Sequence, residues 1–177
     1  MSPRDEVIAN RKDQIMQCAA ALFAEQGYYK TTTGHVAAAA GVTQPYVFHF
    51  FKTKEQLYLA VLERAYERLR IAFENVDAPA EELVFRMGYA FNELLATHRN
   101  EILLLMQCFA TPEPEVRGFS SDCYSRIYDA IAERFEKAGI ENPTHEASMF
   151  ISCGLVISLS EILGLPKLVP WNHDNPH

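Results

Sequence analysis

The chain has 177 residues, 49% of them hydrophobic, and a formal net charge of −7. That is enough apolar material for a sizeable core without a metal or disulfide staple, in one large domain or a small one joined to a medium one. The negative charge argues against a generic nucleic-acid coat, and the charged N-terminus MSPRDEVIANRKDQ holds no apolar signal-peptide core. No apolar run reads as long enough to span a bilayer. The expectation is a cytoplasmic protein with no membrane partner.

Nearly the whole chain reads as helix, with no strand, internal repeat or low-complexity tract. From Arg4 to Gln26, apolar residues fall at helical spacing (Ile8, Ile15, Ala19, Leu22, Phe23), and Gly27 is a natural stop. Thr31, Thr32 and Thr33 offer N-cap oxygens for a second helix that ends at Gly41. Thr43 is placed to cap a third, with Pro45 in its first turn. Thr53 caps a fourth, from Lys54 to about Asn75, whose apolar face is Leu57, Val61, Leu62, Ala65, Leu69 and Phe73. Its other face (Glu63, Arg64, Glu67, Arg68, Arg70) reads as solvated, with weak i,i+4 pairs. VDAPA (76–80) is a break. A fifth helix is expected over Ala80–His98, a sixth over Asn100–Thr111, a seventh over Glu115–Ala138, and an eighth from Asn142–Pro143 to Gly164. The tail carries three prolines in LPKLVPWNHDNPH and reads as irregular.

The four cysteines, Cys18, Cys108, Cys123 and Cys153, lie far apart in apolar helical stretches, with no CxxC and no Cys/His pairing. Buried, reduced thiols are expected, with neither a metal nor a cofactor. Charge is uneven. Residues 1–58 hold six Lys/Arg and five Asp/Glu, a net of +1, which leaves −8 for the rest.

Thr32–Leu57, TTGHVAAAAGVTQPYVFHFFKTKEQL, places two short helices around a turn at Gly41. Such a unit lays its second helix in the major groove of DNA. At about 100° per residue, Val47 and Phe51 share one face and, with Phe50, should pack onto the first two helices. Pro45 and His49 lie opposite, flanked by Tyr46 and Phe48, and Gln44 stands at the N-terminal end with its side chain free. A merely solvated helix more often shows Glu, Lys and Ser there. Outward rings and an amide suit the DNA backbone and base edges.

On these residues the sequence resembles the TetR family of bacterial transcriptional regulators, whose head carries A-x-x-x-G-V-[ST]-x-x-x-[LV]-Y-x-[YHF]-F-x-[ST]-K-x-x-[LF]. The match is Ala37–Leu57, AAAAGVTQPYVFHFFKTKEQL. Ile15, Ala19, Leu22, Phe23, Gly27, Tyr28 and Thr32–Thr33 also sit where the family places them, so the resemblance covers about residues 8–60. It implies that Thr33 and Gly34 approach phosphate or a flanking base. Gln44, Pro45, Tyr46, Phe48 and His49 would face the groove, and Lys54 would grip a phosphate. Phe48 departs from the usual Tyr, so a hydroxyl is lost there, with Tyr46 nearby. Gly34 has no side chain where some relatives have Arg.

The fold implied is all-α: a three-helix DNA-binding head over residues 1–53, a helical ligand-binding and dimerisation body over 54–165, and a tail over 166–177. One reading helix makes few base contacts, and two half-sites call for a two-fold dimer. The apolar stretch ASMFISCGLVISLSEILGL (147–165) is the expected interface, through Phe150, Gly154, Leu155, Ser158, Leu159 and Ile162. The resemblance further implies a ligand cavity among the middle helices. Its candidate residues are Met87, Phe91, His98, Met106, Gln107, Phe109 and Tyr124, alongside Phe85, Tyr89, Cys108 and Phe119. No GxSxG, HExxH, P-loop or GxGxxG in a strand context occurs, so no enzyme is expected. The expected function is a homodimeric repressor of a palindromic, double-stranded DNA operator, released by a small, largely apolar effector. The alternatives are a helical binding module that has lost operator reading, and a thiol-based sensor.

Overall fold

The computed structural model describes residues 3–169, and residues 170–177 of the expected irregular tail lie outside the described residues. Seven α-helices follow in order: α1 Pro3–Lys30, α2 Thr33–Ala39, α3 Gln44–Phe50, α4 Lys54–Glu74, α5 Ala80–Gln107, α6 Pro114–Lys137 and α7 Pro143–Leu163. Single 3₁₀ turns follow α5 (Cys108–Ala110) and α7 (Pro166–Leu168), and no strand occurs among the described residues. The chain forms two compact units. Among the described residues, one holds 3–67 with Asn100–Phe119; the other holds Arg68–Arg99 with 120–169.

In the first unit α1 buries Ile15, Ala19, Ala20 and Phe23 and breaks at Gly27, whose φ of 78° and ψ of 167° suit glycine alone. The last three residues of α1 resume beyond that break. Thr31 then turns inward, and its hydroxyl donates to the Leu22 and Gly27 carbonyls. The second of the three threonines, Thr32, is the one that caps α2, accepting from the His35 N–H. The apolar face of α4 is buried as its spacing requires, from Leu57 through Phe73. Thr53 accepts from the Gln56 N–H, and the Gln56 side chain in return accepts from the Lys52 N–H, so two orphan donors at the start of α4 are satisfied together.

The polar face of α4 is not simply solvated. Arg64 makes a two-toothed contact with Glu101 on α5, Nε–Oε2 at 3.2 Å and Nη2–Oε1 at 2.7 Å. Its Nη1 reaches Asp13 on α1, 2.5 Å from Oδ1. Glu101 is buried, and the five residues after it, Ile102–Met106, are buried all around the helix. Helical spacing carries no trace of such a tertiary pairing, and so the sequence suggests water there.

In the second unit Arg68 likewise has a tertiary partner. Its Nη1 lies 2.6 Å from His98 Nε2, and His98 Nδ1 lies 2.9 Å from Thr97 Oγ1. A guanidinium only donates, so Nε2 accepts and the imidazole proton sits on Nδ1. His98 has φ −132° and ψ 37°, a kink inside α5. The expected fifth and sixth helices are thus one element bent where a break was foreseen. Arg134 on α6 donates to the Glu74 and Val76 carbonyls, covering the C-terminal end of α4.

One expectation needs correction. α7, 21 residues long, is by length and composition apolar enough to cross a membrane, and most of it is unburied in this chain. Phe150 on α7 packs edge-on against Phe73 and Phe135, while Met149, Leu159, Ile162 and Leu163 stand exposed.

Replacing Arg64 with Leu is expected to cost about 3–5 kcal/mol, because Glu101 stays buried without its guanidinium. The double variant with Glu101→Leu is expected to recover most of that loss. Urea unfolding of the two variants checks both.

Candidate DNA-binding site

The site is built on α2 and α3. Residues Ala37–Ala40 close α2 so that Val42 N–H bonds the Ala37 carbonyl (3.0 Å) and Gly41 N–H bonds the Ala38 carbonyl (3.2 Å). This paired closure requires a left-handed residue just past the helix, and Gly41 supplies it with φ 64°. α3 starts at once. Thr43 lends its backbone carbonyl to the Tyr46 and Val47 N–H groups, but its side chain makes no capping bond, contrary to the sequence expectation. Pro45 occupies the first turn, where its missing N–H costs nothing.

The angular reading of α3 places most residues correctly. Val47 and Phe51 are buried, while Gln44, Pro45, Phe48 and His49 are exposed and Tyr46 is half-buried. Phe50 differs. It is half-buried, and Tyr46 and His49 meet its ring edge-on at 5.3 and 5.2 Å between centroids. Tyr46 and His49 stack over each other at 6.4 Å. The outward rings therefore brace one another through Phe50.

Three residues differ from the sequence picture. The Gln44 side chain is not free, since its Nε2 donates to Thr33 Oγ1 at 2.9 Å. Thr33 is buried, with its hydroxyl turned to that amide, while Gly34 beside it is half-buried. Lys54 donates to the Tyr28 carbonyl at 2.9 Å and lies 4.2 Å from the Tyr28 ring centroid. An ammonium has three donors, so this bond leaves Lys54 two more.

Sequence reasoning missed the aromatic junction beside Lys54. Tyr28 meets Tyr29 and Tyr58 edge-on, at 5.5 and 5.0 Å. Glu113 lies beside the Tyr29 phenol and pushes its pKa up, and Thr111 lies beside the Tyr58 phenol. The loop before α6 thus touches the base of the head within one compact unit. No local signal links residues 28 and 113.

The candidate pocket residues divide between the two compact units. Met87 and Phe91 are buried and His98 and Tyr124 half-buried in one unit; Met106, buried, Gln107, half-buried, and Phe109, exposed, lie in the other. Phe85 and Tyr89, named alongside the cavity candidates, are exposed at 72% and 59%. Of the α7 candidates, Leu159 and Ile162 are exposed, Gly154 and Leu155 half-buried, and Phe150 and Ser158 turn toward their own chain. Cys108 and Cys123 are buried, and burial pushes the half-buried Cys18 thiol up, toward its inert protonated form. No group of three His, Cys, Asp or Glu able to hold a metal occurs among the described residues.

Residues 15–61 match the family model of the bacterial regulatory proteins, tetR family. The chain is 30% identical over 167 residues to the HTH-type transcriptional regulator HbdR of Aromatoleum, covering 90% of this chain and 71% of that protein. It is 28% identical to the HTH-type transcriptional activator FasR of Mycolicibacterium smegmatis, covering 87% and 69%. The match to the repressor KstR2 of the same organism, also at 28%, covers 54% of this chain and 48% of that protein. Among solved structures, AibR in complex with isovaleryl coenzyme A and operator DNA superposes with a TM-score of 0.67 at 26% identity, covering 84% of this chain and 86% of that one.

Burial, and then the charges of Glu113 and Glu55, push the Tyr28 phenol up to about 12, from an ordinary value of 10. The folded chain therefore holds that proton where the unfolded chain releases it. The contribution to stability is complete below pH 10 and is lost as pH rises toward 12. Tyr28→Phe is expected to flatten the alkaline fall in the denaturation midpoint over this window, measured against wild type.

Proposed function

The chain belongs to the TetR family of bacterial regulatory proteins, and from that premise we propose that it is a homodimeric repressor of a palindromic operator, released by a small, largely apolar effector. At family level it is a ligand-responsive helix-turn-helix transcriptional regulator, not an enzyme. The observation that carries the finer reading is the outward face of α3, where Gln44, Pro45, Tyr46, Phe48 and His49 stand on a helix held by a two-bond turn.

In this reading Gln44 meets an adenine edge and Pro45 a thymine methyl. Tyr46 supplies a hydroxyl toward the backbone that Phe48 lacks. Lys54 keeps two donors for a phosphate beside the N-terminus of α4, a helix end that favours anions. The heads pair through a second copy laid on α7, where Gly154, Leu155, Leu159 and Ile162 form the contact. The exposed face of α7 is then covered by protein rather than lipid, and the protein works in the cytoplasm. The effector lies in the body near Met87, Phe91, His98 and Tyr124, which share one compact unit. Release needs no more than a higher effector affinity for the state whose heads misfit the operator.

Selection from random DNA is expected to enrich a palindrome. Against it, Gln44→Ala is expected to cost about 1–3 kcal/mol and to relax preference at one position of each half-site. A Gln44→Ala protein that ranks all single-base operator variants as wild type does would remove Gln44 from base reading. Ile162→Glu is expected to give a monomer in sedimentation equilibrium, with half-site binding only. A mutant that stays dimeric would place the interface elsewhere.

A further inference from the structure

The two ends of the motif are tied together by one side-chain bond. Thr33 is the first residue of α2 and Gln44 the first of α3, and the amide Nε2 of Gln44 donates to Thr33 Oγ1 at 2.9 Å. The two partners differ in setting. Thr33 is 7% exposed and cannot itself present its hydroxyl to a groove, whereas Gln44 is exposed. Thr33 is also β-branched, so its rotamer on a helix is restricted. A buried hydroxyl thus holds an exposed amide.

We propose that Thr33 is a positioning residue that sets the orientation of the Gln44 amide and thereby selects which base it reads, a role that rests on the DNA-binding function proposed above. With Nε2 turned inward, Oε1 faces outward as an acceptor, and one amide N–H remains beside it. That acceptor–donor pair matches adenine, which offers an N6 donor and an N7 acceptor in the major groove. The reverse orientation, with Thr33 donating to Oε1, would turn two N–H donors outward. Those match the O6 and N7 acceptors of guanine. The bond between Thr33 and Gln44 therefore decides between two purines that a freely turning amide reads alike. A Cβ at Gly34 would lie 3.9 Å from the amide carbon and nitrogen, in ordinary contact, so the hydrogen bond to Thr33 rather than the glycine sets the amide.

The test measures binding to the selected operator and to its A→G variants at the position that Gln44→Ala relaxes, for wild type, Thr33→Val and Thr33→Ser. Thr33→Val removes the hydroxyl and keeps the branched shape; Thr33→Ser keeps the hydroxyl. Wild type is expected to prefer adenine. Thr33→Val is expected to narrow the adenine-over-guanine ratio by about tenfold, with Thr33→Ser retaining most of it. A loss in Thr33→Val that is equal on every sequence marks a purely structural role and overturns the proposal, as does a wild-type preference for guanine. An unchanged ratio in Thr33→Val overturns it too, while leaving the DNA reading intact. Failure of wild type to enrich any sequence sinks the DNA reading, and this inference with it.

Discussion

The first compact unit depends on Arg64. Its guanidinium spans three helices, meeting Asp13 on α1 and Glu101 on α5 from α4. The Arg64 and Glu101 side chains are 14% and 8% exposed, so the charges are largely withdrawn from water. Desolvation on that scale is repaid only by excellent geometry, and a planar fork against a carboxylate is the arrangement that provides it. Asp13, 45% exposed, adds little energy but fixes where α1 sits. The ion pair also allows Glu101 to stand in the otherwise apolar run Glu101–Met106, buried on every side. A segment so enclosed has no freedom to rotate, and the carboxylate sets its register on α4.

From that anchored segment the chain leads straight to the aromatic junction. Cys108–Ala110 forms one 3₁₀ turn, and then Thr111 and Glu113 meet the phenols of Tyr58 and Tyr29. The same rings hold Lys54, through the Tyr28 carbonyl and the Tyr28 face. One patch therefore gathers the end of α1, the start of α4 and the loop before α6. All three belong to the unit that carries α2 and α3. The reading helix is mounted on elements whose own positions are fixed by Arg64 and by these tyrosines.

Local chemistry was legible in the sequence, and pairings over long separations were not. The stops at Gly27, Gly41, Gly139 and Gly164 all take positive φ, and the break expected at His98 falls on its kink. These are set by glycine's freedom and by periodicity within a few residues. The buried side of α3 was legible for the same reason. Arg64 and Arg68 were misread as side chains given to water, and Gln44 as one left free of its own chain. Their partners lie 37, 30 and 11 residues away, and nothing in helical spacing distinguishes a charge that meets solvent from one that meets another helix. The exposed rings of Phe85 and Tyr89 show the converse error. An aromatic residue in an amphipathic helix suggests core, yet only its angle to Met87 and Phe91, both buried, decides. For α7 the count of apolar residues was the trap. A helix that a partner must cover and a helix that spans lipid have similar compositions, and the bilayer criterion asks for length and hydropathy alone.

Magnitudes narrow how regulation works in the proposed repressor. A hundredfold loss of operator affinity corresponds to about 2.7 kcal/mol of coupling. The junction at Glu113 holds free energy on that scale. One carboxylate oxygen of Glu113, Oε2, is buried without a hydrogen-bond partner, although the residue lies beside Tyr29. An unsatisfied buried acceptor costs about 1–3 kcal/mol. Lifting the loop from the head returns that cost and parts Glu113 and Thr111 from the Tyr29 and Tyr58 phenols. In the proposed repressor an effector that favours one loop position would act on the base of the head, while Arg64, whose loss is expected to cost about 3–5 kcal/mol, holds α1, α4 and α5 together.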